Sequence, residues 1–118
     1  MQYVLLIYES DKEFAKLSDA EKGAIYQGYG EFTQSIVTSG HMRAGAGLKP
    51  VDTATTVRVR GGKTVSTDGP FAETKEQLSG FYLVEARDVD EAIKIAARIP
   101  SARHGSVEVR PTITPPAS

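Results

Sequence analysis

Gly80-Phe81-Tyr82-Leu83-Val84-Glu85-Ala86 is apolar at both parities. Successive side chains on a strand point to opposite faces, so this one needs cover on both. The opening run Gln2-Tyr3-Val4-Leu5-Leu6-Ile7-Tyr8 has the same character. Tyr3, Leu5 and Ile7 share one side, and Val4, Leu6 and Tyr8 the other. Two further strands are expected at Met42–Leu48 and at Ser106–Arg110, the latter with Val107 and Val109 on one face.

Helical segments separate these strands. Ser18-x-x-Glu21 is a capping box, with Leu17 placed as its hydrophobic staple. The helix it starts is expected to run to Ser39 or Gly40, with Ile25, Tyr29, Phe32, Ile36 and Val37 as its apolar stripe. Gly23, Gly28 and Gly30 fall inside it, at roughly 1 kcal/mol each against alanine; close approach of another backbone would account for them. Asp88 with Glu91 is a second, variant capping box. That helix continues through Ala92, Ile93, Ala96 and Ala97 until Pro100 stops it. Residues 10–16 are polar and read as a loop.

The predicted order is β-α-β, a β-hairpin, then β-α-β. This is the α+β, ferredoxin-like βαββαβ plan with an inserted β-hairpin. Two helices cover only one face of a four-stranded sheet. A second copy of the sheet is the simplest cover for the other, so a homodimer with sheets face to face is expected. Residues 1–110 form one domain, and 111–118, with three prolines and no periodicity, read as a loose tail.

In the hairpin, Val57 and Val59 alternate with Thr56, Arg58 and Arg60 before Gly61-Gly62. A two-residue loop opposes Arg60 to Lys63, two like charges. A three-residue loop pairs Val59 with Val65 and Val57 with Thr67, and is the register favoured on side-chain grounds.

Composition excludes several functions. The chain has 118 residues, no cysteine and a net charge of -1. Disulfide and thiolate chemistry are absent, and a reducing, cytoplasmic setting is natural. Neither nucleic acid nor an anionic membrane finds an electrostatic footing. The apolar opening has no basic flank and is too short for a signal sequence or a membrane span. No P-loop or Gly-x-Ser-x-Gly elbow is present, and two isolated histidines without cysteine make no zinc set. No cofactor is expected.

Asp68-Gly-Pro-Phe-Ala-Glu-Thr-Lys-Glu76 is the most specified connection in the chain. Gly69 can take a positive φ, Pro70 fixes its own, and Phe71 is a large apolar group. This motif resembles that of the DGPF-motif proteins of the YCII-related family. The similarity extends to Tyr3–Tyr8, Ala44–Leu48, Thr53–Arg60, Gly80–Ala86 and Val107–Pro111. It implies a ferredoxin-like dimer of the dimeric α+β barrel type. Most members of that family are uncharacterised, some are encoded beside sigma factors, and a minority are enzymes acting on small molecules. Those enzymes pair a histidine on the first helix with an aspartate. Here the first helix carries Tyr26 and Tyr29 and no histidine.

Asp68 is the candidate general base, against a reading as an Asx turn. Tyr29 is the candidate proton donor, against a place in the core. His41 is a candidate proton shuttle, against simple complementation of a helix dipole. Phe71, Arg43 and Arg58 are candidate ligand-binding residues, the arginines forming a basic stripe with Arg60. His104, beside Arg103, reads as exposed. The expected functions are a lyase- or isomerase-type enzyme with an acid/base pocket near Asp68, a ligand-binding or accessory dimer tied to a sigma factor, or a structural clamp built on the loop.

Overall fold

The computed structural model describes residues 1–113. Six strands, β1 (Gln2–Glu9), β2 (Met42–Gly47), β3 (Thr55–Arg60), β4 (Lys63–Asp68), β5 (Gln77–Glu85) and β6 (Ser106–Pro111), alternate with helices α1 (Asp11–Ala15), α2 (Asp19–Thr38) and α3 (Val89–Ala96). Strands β2-β5-β1-β6 make an antiparallel four-stranded sheet, and β3-β4 a separate two-stranded one. The fold is α+β and consistent with the ferredoxin-like plan. Among the described residues, no helix is long and apolar enough to cross a membrane.

Parity decides the core. Tyr3, Leu5 and Ile7 of β1 and Tyr82 and Val84 of β5 are buried beneath the helices. From α2 they receive Phe32 and Ile36, and from α3 Ala92, Ile95 and Ala96. Leu5, Ile36, Val84 and Ile99 are wholly enclosed, each worth about 1.5–3 kcal/mol of transfer free energy. The opposite parity, Val4, Leu6, Phe81 and Leu83, lies on the other face and is half-buried. Phe32 and Tyr82 meet edge to face with ring centroids 5.1 Å apart, and Thr33 and Tyr82 share a 2.7 Å hydrogen bond.

Both capping signals are used. Ser18 Oγ accepts from the Glu21 amide at 3.1 Å, and Glu21 Oε1 accepts from the Ser18 amide at 3.0 Å. Asp88 Oδ1 accepts from the Glu91 amide at 2.9 Å, whereas Glu91 reaches one residue farther, to the Arg87 amide. Gly40, at φ 80°, closes α2. Gly28 lies against Pro100: a Cβ there would stand 3.1 Å from the proline Cγ. Gly23 and Gly30 have no such neighbour.

Several expectations are corrected. The segment 10–16 contains helix α1, capped by Ser10 Oγ on the Glu13 amide; a capping serine with Asp11 and Glu13 in the first turn outweighed its polarity. Val37 is 52% exposed, so it does not belong to the buried stripe of α2; Ile93, helical as expected, is 50% exposed and lies off the buried side of α3. In α3 that place falls to Ile95, three residues from Ala92. The hairpin takes the two-residue loop: Arg60 faces Lys63 and Val59 faces Thr64. Gly61 and Gly62 have φ of 57° and 75°, the type I′ pair whose twist matches the flanking strands. A like-charge pair in water costs about 1 kcal/mol or less, too little to override that twist. β6 extends to Pro111, opposite Tyr3, and the Thr112 amide donates to Gln2 O. The tail expected beyond it lies, from residue 114, outside the described residues.

Candidate functional site

Where β1 ends and β6 begins, three elements converge on one polar cluster. Pro100 opens a 3-10 turn, Pro100–Arg103, directly after α3. The absence of a side chain at Gly28 lets this turn lie on α2, which brings Ser101 to Tyr29. Gly105 then passes so close to the Tyr8 carbonyl that no Cβ could be accommodated. That approach sets His104 beside Glu9, the last residue of β1.

The contacts form a chain. Tyr29 Oη donates to Ser101 Oγ at 2.7 Å, and Ser101 Oγ donates to Glu9 Oε2 at 2.9 Å. His104 Nε2 stands 3.5 Å from the same carboxylate oxygen. Ser101 is fully buried, the Glu9 side chain is 15% exposed and that of His104 46%. Burial pushes the Tyr29 phenol above its ordinary value; the Ser101 hydrogen bond works against this, and the Glu9 charge adds to it. The phenol therefore stays protonated and remains a donor. Ser101 gives its single proton to Glu9 and none to His104, so it is not a nucleophile activated by that histidine. The arrangement instead holds a carboxylate in place behind a solvent-facing imidazole, the pairing that orients a histidine for proton transfer.

His104 lines a broad cleft of about 1750 Å³. Its floor is apolar, with Phe14, Leu17, Ile25 and Phe32, and its walls come from α1, α2, the 3-10 turn and residues 73–77. The second half of the Asp68–Leu78 connection fixes one wall. Gln77 Nε2 donates to Thr74 O at 2.6 Å, Gln77 Oε1 accepts from the Asp11 amide at 2.9 Å, and Glu76 Oε1 accepts from Ser106 Oγ at 2.9 Å.

The residues singled out from the sequence occupy three separate places, and none lines the cleft. Asp68 is exposed at the end of β4, opposite Thr55. Among the described residues its carboxylate has no hydrogen-bond partner, so it makes no Asx turn. The turn is made by Gly69, at φ 100°, whose amide donates to Ala54 O at 2.7 Å and whose carbonyl accepts from Thr56 Oγ1 at 2.9 Å. Phe71 is 80% exposed, so a pocket walled jointly by Tyr29 and Phe71 is not formed within one chain. Arg58 is on the exposed hairpin. At the start of β2, His41 Nδ1 and Ser39 Oγ are 2.6 Å apart, and His41 Nε2 lies 3.4 Å from Glu91 Oε1. Arg43 donates to Gly40 O at 2.8 Å. Tyr29 alone joins the cluster described above.

Glu9, Ser101 and His104 were the residues missed. Glu9 had one signal: it is the charged residue that ends the apolar run of β1. Ser101 had none, because a serine after Pro100 is an ordinary surface residue until the turn is folded against α2.

Comparison with known proteins bears on the whole chain. The family model of the YCII-related domain matches residues 1–114. The chain is also 37% identical over 113 residues to an uncharacterized protein of Rhizobium meliloti (strain 1021), spanning 94% of this chain and 91% of that protein.

Proposed function

The chain belongs to the YCII-related domain family, and on that premise we propose that it binds a small molecule in the cleft and acts on it by proton transfer, as a lyase or isomerase does. The observation that carries this reading is the Tyr29–Ser101–Glu9 relay ending at His104 on the cleft wall. His104 is the acid/base group. Glu9 orients its imidazole and favours the imidazolium that forms on proton abstraction. Ser101 and Tyr29 keep Glu9 in place. The expected acid/base role thus moves from Asp68, which is exposed and away from the cleft, to His104, which lines it, with Glu9 behind the imidazole. The working unit in this reading is a homodimer built through Val4, Leu6, Phe81 and Leu83, since both long helices bury their stripes on the opposite face.

A thermal-shift screen of metabolites identifies ligands, because a molecule that binds only the native state raises its melting temperature. Ligands that bind are then incubated in D₂O with the protein, and exchange at carbon is followed by proton NMR. Wild type is expected to exchange a ligand C–H. His104→Gln and Glu9→Gln should still bind it but exchange about 10²–10⁴-fold more slowly. No stabilising ligand across broad chemical coverage, or exchange indifferent to both substitutions, would overturn the proposal.

A further inference from the structure

The hairpin β3-β4 is uncovered on both faces. Of its twelve strand residues only Thr56 is half-buried and the rest are exposed, Val57, Val59 and Val65 at 59%, 61% and 47%. An isolated two-stranded ribbon is marginal in water, so this one needs a surface to lie on. The register fixes what each face offers. Val57 and Val59 share one face with Thr64 and Ser66, while Arg58, Arg60, Lys63 and Val65 share the other. Those three cations take part in no salt bridge among the described residues.

The cleft has the complementary deficit. Seven carboxylates line it against four lysine and arginine side chains. Among the described residues only Glu13 of the seven is in an ion pair, with Lys16. Among the described residues Glu21, Glu31, Asp52 and Glu73 have no cationic partner, and the apolar Phe14, Leu17 and Ile25 line the same cleft. An acidic rim around an apolar floor matches a ribbon face that carries three cations around one valine. Six residues at about 3.3 Å each make an arm of about 20 Å.

We propose that the β3-β4 hairpin of a second copy of this chain docks with its Arg58/Arg60/Lys63/Val65 face in the cleft, so that each cleft is closed by the partner's arm. Val65 then rests on the apolar floor, and the three cations meet the rim carboxylates. The arm shares the cleft with the small-molecule site proposed above, but its test reads cross-linking alone, so failure of the docking and failure of the His104 chemistry are distinguishable.

The absence of cysteine makes the test clean. Val65→Cys combined with Ala24→Cys, the latter on the cleft wall, is expected to form an interchain disulfide under mild oxidation. The control pairs Ala24→Cys with Val57→Cys, which points from the other face of the same ribbon, and should cross-link at least tenfold more slowly. Adding Arg58→Glu, Arg60→Glu and Lys63→Glu to the first pair should slow its cross-linking by a similar factor, and raising the salt should slow it as well. Equal rates for the Val65 and Val57 pairs, or a rate unmoved by the charge reversals, would overturn the proposal. Unchanged circular dichroism of each variant confirms that the readout is docking and not misfolding.

Discussion

Ser101→Ala probes the relay at its centre. The substitution deletes a fully buried hydroxyl that accepts from Tyr29 and donates to Glu9. A hydrogen bond to a charged group is worth about 1.5–3 kcal/mol and a neutral one about 1 kcal/mol. Tyr29 is only partly buried and can turn to water, and His104 still faces the carboxylate, so part of the loss is recovered. The expected net destabilisation is about 2 kcal/mol. For a domain near this length that lowers the melting temperature by about 8 °C. Urea unfolding followed by far-ultraviolet circular dichroism, at fixed protein concentration, measures it. The double cycle with Tyr29→Phe isolates the pair and should return a coupling of about 1 kcal/mol. A loss below about 0.5 kcal/mol for Ser101→Ala, as for an ordinary surface change, would refute the reasoning. So would additivity of the two substitutions within about 0.3 kcal/mol, since the Ser101 hydroxyl would then not be holding Tyr29.

Gly105→Ala places a Cβ against the Tyr8 carbonyl and close to Ser101 O; a destabilisation of about 3 kcal/mol is expected, and chemical denaturation at wild-type level would show that the turn can shift freely. Glu91 is held below its ordinary carboxylate value by the Arg87 amide first, then by the Arg87 guanidinium and His41, and Glu21 and Glu85 are lowered by Ser18 and by the terminal amine. In each case the folded state prefers the ionised form, so stability is fully present above the unfolded value near 4.5 and falls as the pH drops through the lower folded value. Melting temperatures measured from pH 7 to pH 3 should be flat to about pH 5 and then decline, with a shallower decline in Glu91→Gln. Leu83→Lys puts a charge on the sheet face away from the helices and should convert a dimer in sedimentation equilibrium to monomers; a dimer that persists would exclude that face as the interface.

Much of the fold was legible because its signals are local. A serine three residues before a glutamate specifies a helix start whatever lies elsewhere: the Ser18 box formed as read, and Asp88 caps its helix although Glu91 turns to the Arg87 amide instead. Parity along residues 2–8 and 80–86 told which side chains share a face. It could not tell which face the helices would take, because both are apolar. The hairpin register misled for a physical reason: side-chain pairing favoured one loop, whereas the backbone twist of two left-handed glycines favoured the other, and the exposed charges were too well solvated to object.

The candidate site was legible only in part. Tyr29 could be named from the α2 stripe, and Asp68 from its motif, but the two lie apart in the folded chain. The sequence by itself determined the order of helices and strands, their caps and the α+β class, since these depend on residues within a few positions of each other. The tertiary structure alone decided that Glu9 meets Ser101 and His104. Those residues are more than ninety positions apart in the chain, and they are joined by two close approaches, Gly28 to Pro100 and Gly105 to Tyr8. A glycine's value at such a place is the room it leaves, and that room has meaning only once the neighbour is present.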